Sequence, residues 1–130
     1  SVINNILSNA IKFVKQNSGE ISIKVSTSKS KVCLIVTDNG VGMPESIREN
    51  LFREDVVTSR PGTSGERGTG FGMPLVKTYM DLYGGKIEVS SREEESNPHK
   101  HGTTFTLTFK NSGKNTTKQE SQLRSKDQAA

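Results

Sequence analysis

The sequence predicts an α+β fold, a two-layer sandwich with helices on one face of a mixed β-sheet. Three observations predict it. Residues 2–16 and about 71–83 carry apolar side chains at helical period. Each of these helices is followed by a pair of strand-like runs. The chain of 130 residues is long enough for a single core and holds no internal repeat.

Taken in order, the first helix places Val2, Ile3, Ile6, Leu7, Ala10, Ile11 and Val14 at apolar positions, and Asn17-Ser18-Gly19 is its stop signal. Asn5, Asn9 and Lys12 fall at i, i+4 and i+7 and form a separate polar stripe. Ile21 to Val25 alternates, residues 27–31 turn the chain, and Val32 to Thr37 runs on as a buried strand ending in Asp38. Pro44 and Glu45 suit the first turn of a short helix reaching Asn50. Residues 53–70 are charged, glycine-rich and without period. A stretch of that length inside a compact domain reads as a functional lid or as disorder. The second long helix tolerates Pro74 because it lies in the first turn, and Gly84-Gly85 ends it. Lys86 to Ser90 alternates again. A polar loop, Arg92 to His101, then leads to a strand in which Thr103, Phe105, Leu107 and Phe109 share the inward face.

Composition narrows the function classes. The apolar fraction is 30%, against roughly 45–50% (glycine included) for a typical domain. Part of the deficit lies in residues 111–130, whose one large aliphatic side chain is Leu123; that segment reads as a disordered polar tail after a domain of residues 1–110. Residues 110–130 hold +3 of the net +4, so the basic balance belongs to the tail and does not point to nucleic acid. One cysteine, Cys33, excludes an internal disulfide and a four-cysteine metal site. No apolar run approaches the roughly 18 residues of a membrane span and no signal peptide opens the chain, so a cytoplasmic fragment of a longer protein is expected.

Two stretches carry chemistry. Gly68, Gly70 and Gly72 alternate just before the second long helix, where a bare backbone and a helix N-terminus can cradle phosphate. Asp38-Asn39-Gly40-Val41-Gly42 ends a buried strand with a carboxylate followed by two spaced glycines, so that a flat ligand could approach while the carboxylate accepts a hydrogen bond from an amino group.

In order along the chain, Asn5-Ile-Leu-Ser-Asn9-Ala-Ile-Lys12-Phe13, Asp38-x-Gly40-x-Gly42, Phe52, Gly68-Thr69-Gly70-Phe71-Gly72 and Gly102-Thr103-Thr-Phe105 resemble the N, G1, F, G2 and G3 boxes of the sensor histidine kinase ATP-binding domain. That domain belongs to the superfamily shared with DNA gyrase B, Hsp90 and MutL, and the resemblance covers residues 1–110. It implies the Bergerat fold with an ATP lid. Asn9 is similar to the asparagine that holds Mg²⁺, which favours hard oxygen ligands, with Asn5 and Lys12 as its phosphate-facing neighbours. Asp38 resembles the aspartate that reads the adenine amino group, Gly40, Gly42 and Met43 fall in the loop beside it, and Thr103 resembles the threonine that supports that contact through water. Gly68, Thr69, Gly70, Phe71, Gly72 and Met73 resemble the segment that wraps the phosphates. Phe52 matches the F-box phenylalanine, but the usual second phenylalanine is absent, with Glu54-Asp55 nearby.

The resemblance implies an ATP-dependent protein-histidine kinase domain using ATP and Mg²⁺. Its partners would be the dimerisation and histidine phosphotransfer domain of the same kinase and the receiver domain of a response regulator. The parent would be a homodimer, membrane-anchored or not. Related ATPases and anti-sigma serine kinases carry a general-base glutamate where this chain has Asn5, and an amide cannot take a proton. Asn5 thus favours histidine as acceptor; the alternatives are an anti-sigma-type serine kinase or a catalytically inactive regulatory domain. His99 and His101 precede the last strand on a polar loop rather than a helix, so both read as surface residues and the acceptor is expected outside this chain.

Overall fold

The computed structural model describes residues 2–55, 62 and 72–111. Its elements are α1 (Val2–Phe13), β1 (Ile21–Thr27), β2 (Lys31–Asp38), α2 (Glu45–Asn50), α3 (Gly72–Leu82), β3 (Lys86–Arg92) and β4 (Gly102–Lys110). The strands form one sheet in the order β1-β2-β4-β3. The α+β sandwich expected from the sequence is present. The described sheet differs from the mixed one expected: all three pairings are antiparallel. The reason is topological. Each hairpin pairs its own strands in opposite directions, and the hairpins meet through their second strands, which also run opposite ways.

The core lies between the helices and this sheet, with Ile6, Val76, Met80, Phe105 and Leu107 at its centre, none more than 1% exposed. Inward positions of β4 alternate as expected, Thr103, Phe105 and Leu107 being buried. Packing chooses a narrower stripe on α1 than the apolar pattern suggests. Val2, Ile6, Ala10 and Phe13 are buried, whereas Ile3 and Ile11 face outward. The same correction applies to α3, where Leu75 and Leu82 are exposed, as is Tyr83 just beyond it, while Met73, Pro74, Val76 and Met80 are buried. Strand β1 also departs from the alternation, because α1 packs over β2 and α3 over β3, leaving Ile23 and Val25 exposed at the sheet's edge.

Helix α1 stops at Phe13, well before Asn17-Ser18-Gly19. Its end is set by a tertiary contact, since the Phe13 carbonyl accepts the Val41 N–H at 3.0 Å. Pro44 is the N-cap of α2 rather than its first helical residue, with φ −62° and ψ 154°. Most of the expected lid, and the tail from 112 onward, lie outside the described residues.

Candidate functional site

The site is built where β2 ends. Asp38 Oδ1 accepts the Gly40 N–H at 2.8 Å, an Asx turn, and the Thr103 N–H at 3.3 Å. Asn39 locks the turn from outside, accepting the Glu20 N–H at 2.7 Å and donating to the Ser18 carbonyl at 2.9 Å. The Asp38 side chain is therefore buried and aimed. Burial pushes its carboxyl above the ordinary range, while the two backbone N–H groups pull the other way. Its second oxygen, Oδ2, takes no hydrogen bond among the described residues and is not sealed from solvent. A buried carboxylate with one anchored and one available oxygen is a selective acceptor.

Gly42 closes the same turn at φ 73°, and a Cβ there would run into the Arg92 carbonyl. Glycine at this position is thus demanded by the approach of the β3 end as well as by the turn. Gly102 (φ 135°) is under the same demand, facing the Asp38 carbonyl. Beside them Ser91, which sequence reasoning missed, is a junction. Its Oγ accepts the Met43 N–H at 2.8 Å and lies 3.2 Å from the Gly102 carbonyl and 2.9 Å from Thr103 Oγ1. The signal was there in the alternation, for Ile87, Val89 and Ser91 share one face of β3. Thr103 is buried and joined to both Asp38 and Ser91.

The polar stripe Asn5, Asn9 and Lys12 lies half-buried along α1. Its two ends meet the other predicted segments. A Cβ on Gly72 would lie 3.3 Å from Asn5 Oδ1, so the first residue of α3 sits against the stripe's start. At the opposite end Gly40 and Val41 lie against the Phe13 carbonyl, and Lys12 Nζ is 5.2 Å from the centre of the Phe13 ring. Helix α1 thus spans from the start of α3 to the Asp38 corner. Met43 and Met73 are core side chains, and Phe52 packs against the core. Gly68, Thr69, Gly70 and Phe71 lie outside the described residues. Among the described residues no group of three or more His, Cys, Asp or Glu could hold a metal ion by itself. The Asn9 side chain offers an amide oxygen, a hard donor of the kind a divalent ion such as magnesium takes.

The two histidines differ. His99 is exposed as expected. His101 is not a surface residue: its side chain is 18% exposed and its Nδ1 lies 2.6 Å from the Gly40 carbonyl. Its Nε2 faces Glu94 Oε2 at 3.5 Å, and Glu94 Oε1 accepts from Lys15 Nζ at 2.7 Å. The Lys15 hydrogen bond is the main reason the Glu94 carboxyl is held below the ordinary range. Packing of the 93–101 loop against the corner, through the Glu94 N–H to the Val41 carbonyl at 2.9 Å, brings these groups inward.

Residues 1–113 match the family described as histidine kinase-, DNA gyrase B-, and HSP90-like ATPases. The chain belongs to this family. It is 37% identical over 101 residues to the sensor histidine kinase AruS of Pseudomonas aeruginosa, covering 70% of this chain and 9% of that one. It is 34% identical over 110 residues to the C4-dicarboxylate transport sensor protein DctB of Rhizobium meliloti, covering 84% and 16%. The catalytic domain of histidine kinase ThkA superposes with a TM-score of 0.63 at 28% identity, over 84% of this chain and 63% of that one. The mycobacterial sensor histidine kinase MprB, at 23% identity, shares the fold with a TM-score of 0.66 over 84% and 69%. The chain spans less than a fifth of the length of these curated relatives. Among the described residues no helix is long and apolar enough to cross a membrane.

Proposed function

We propose that this chain is the ATP-binding catalytic domain of a two-component sensor histidine kinase. It would hold ATP so that the γ-phosphoryl passes to a histidine on the dimerisation domain of the same kinase, and an aspartate on a response regulator would receive it next. The observation that carries the reading is the Asp38 corner. One carboxylate oxygen is fixed by two backbone N–H groups and the other is left to accept the amino group of adenine. Guanine offers a carbonyl at that position, which a carboxylate repels. The stripe on α1 supports the phosphate end: Lys12 supplies positive charge and Asn9 an amide oxygen. Magnesium, when bound, would neutralise charge on the phosphates. Asn5 cannot act as a base, so the acceptor must bring its own nucleophilicity, and a neutral imidazole does. What the domain contributes is position and charge complementarity.

Calorimetry with ATP and GTP, combined with radiolabelled transfer to a separately supplied dimerisation domain, tests the reading. Wild type is expected to prefer ATP, to phosphorylate the added domain and to incorporate almost no phosphate itself. Asn9→Ala is expected to remove the magnesium dependence of binding and to support no transfer. Equal affinity for the two nucleotides, or normal transfer by the Asn9→Ala chain, would overturn it.

A further inference from the structure

We propose that Ser91 is a positioning residue that fixes the polarity of the base end of the site. It takes the hydrogen of the Thr103 hydroxyl, so that Thr103, like Asp38, presents only an acceptor there. The inference rests on the proposed role of the Asp38 corner in nucleotide binding. Asp38, Thr103 and Ser91 form one row across the sheet, for Thr103 is the cross-strand partner of Asp38 on β2 and of Ser91 on β3. Cross-strand partners share a face, and here it is the one that β4 turns to the core with Thr103, Phe105 and Leu107. The row lies next to the apolar row Val36, Phe105 and Val89. Asp38 and Thr103 are buried in it and Ser91 is half-buried.

The direction of each hydrogen bond in the row follows from what its groups can give. The Met43 N–H can only donate, and it reaches Ser91 Oγ at 2.8 Å. The Gly102 carbonyl can only accept, and it takes the Ser91 hydrogen at 3.2 Å. A hydroxyl has one hydrogen, so Ser91 has only a lone pair left for Thr103 Oγ1, 2.9 Å away, and Thr103 donates across that contact. The opposite order would leave the Thr103 hydrogen without an acceptor among the described residues and the Gly102 carbonyl without the serine. Thr103 Oγ1 then keeps only lone pairs for a ligand. Asp38 offers the same through Oδ2, its Oδ1 being held by the Gly40 and Thr103 N–H groups. Two acceptors side by side suit a group that brings two hydrogens. An amino group meets them directly, or through a water that turns its hydrogens to the protein and a lone pair to the amino group. A carbonyl meets neither. Ser91, acting through Thr103, thus widens the preference for an amino-bearing base over a carbonyl-bearing one.

Calorimetry of ATP and GTP binding to wild type, Ser91→Ala and Ser91→Thr tests the relay. In Ser91→Ala the Thr103 hydroxyl loses its acceptor and can turn to meet a carbonyl. The ratio of ATP to GTP affinity is therefore expected to fall about three- to tenfold. Ser91→Thr keeps the hydroxyl and should restore the ratio. A merely structural serine would leave the ratio unchanged, since losing the Met43 acceptor weakens both nucleotides alike. Neutron diffraction from crystals of the deuterated wild-type chain reads the hydrogens directly, however well the alanine variant folds. It should show the Thr103 hydroxyl aimed at Ser91 Oγ and the Ser91 hydroxyl aimed at the Gly102 carbonyl. An unchanged ratio in Ser91→Ala, or a Ser91 hydroxyl aimed at Thr103, would overturn the proposal. Wild type that binds the two nucleotides equally or binds neither, with both hydroxyls as expected, would instead refute the nucleotide reading and leave the relay standing as a device of the fold.

Discussion

At the C-terminal end of α1 the candidate site is made of backbone. The Phe13 carbonyl, the Gly40 and Thr103 N–H groups and the Arg92 carbonyl crowd around Asp38 and Gly42. Toward the N-terminal end, near Gly72, it is made of side chains, with Asn5 and Asn9 half-buried on a helix whose stability comes from its other face. The difference separates two kinds of constraint. Substitutions at the corner disturb the fold and the site together, whereas those on the stripe should disturb the site alone. A corner built from backbone hydrogen bonds is set by the fold itself, whereas side chains on a stripe keep their own rotamer freedom.

Gly42→Ala should show the largest effect. The residue stands at φ 73° with the Arg92 carbonyl in the path of a Cβ. A left-handed conformation costs an L-residue about 1–2 kcal/mol, and forced overpacking adds about 1–3. Chemical denaturation should therefore report a loss of about 2–5 kcal/mol. By contrast Asn9→Ala, a truncation at a half-buried helix position with an ordinary helix former, should stay within about 0.5 kcal/mol of wild type in the same assay. Equal losses at both positions would erase the distinction between the two ends.

Next in size is the loss of ATP affinity in Asp38→Ala. A hydrogen bond to a charged acceptor is worth about 1.5–3 kcal/mol, so ATP binding should weaken by that amount more than GTP binding, which the change reaches only through the Gly40 and Thr103 N–H groups it leaves unpaired. If ATP and GTP lose affinity equally, the carboxylate serves the fold and not the base.

Much of this was legible in the sequence because it rests on local rules. Period and turn chemistry place the helices and strands, and the Asp38-Asn39-Gly40 run encodes its own Asx turn. What was not legible depends on contacts between distant segments. Nothing local says that α1 must end at Phe13, because Val41 takes its last carbonyl from across the fold. Exposure of Ile11, Leu82 and Val25 follows from which parts of the sheet the helices cover, and hydrophobicity alone does not record that. The polar neighbours of His101 point to a surface residue. Its burial comes from the 93–101 loop folding back on Gly40 and Val41, a pairing separated by 61 residues at the His101 contact. Ser91 escaped for a similar reason: serine on a strand is unremarkable until Met43 and Thr103 arrive beside it.

Ser91→Ala tests that junction, with a smaller expected effect. It would leave the part-buried Met43 N–H without its acceptor and Thr103 Oγ1 without its neighbour. A cost of about 1–2 kcal/mol in stability follows, from the desolvation of an unpaired donor. Ser91→Thr, which keeps the hydroxyl, should recover most of it. Identical stability for the alanine and threonine variants would show that the hydroxyl does not tie the corner together.

The smallest effect, and the one that best separates fold from function within a single residue, is the pH response of Asp38. Burial holds its carboxyl above the ordinary 3.8 despite two N–H donors, so the folded chain takes up this proton at a higher pH than the unfolded chain does. Above its folded titration range the ionised group costs stability. That cost is relieved as pH falls through the folded value toward 3.8, by at most about 1.4 kcal/mol per pH unit for one group. ATP affinity should move the other way, since a protonated carboxyl is a poor acceptor for an amino group. Other carboxylates, among them Glu94, are held below the ordinary range and weaken the fold on acidification, so the comparison must be made against Asp38→Asn. Relative to that variant, wild type should gain stability and lose ATP affinity over the same acid interval. If the two differences instead move in the same direction, the carboxylate is a structural anchor whose ionised form the fold prefers, and the acceptor role at the base end fails with it.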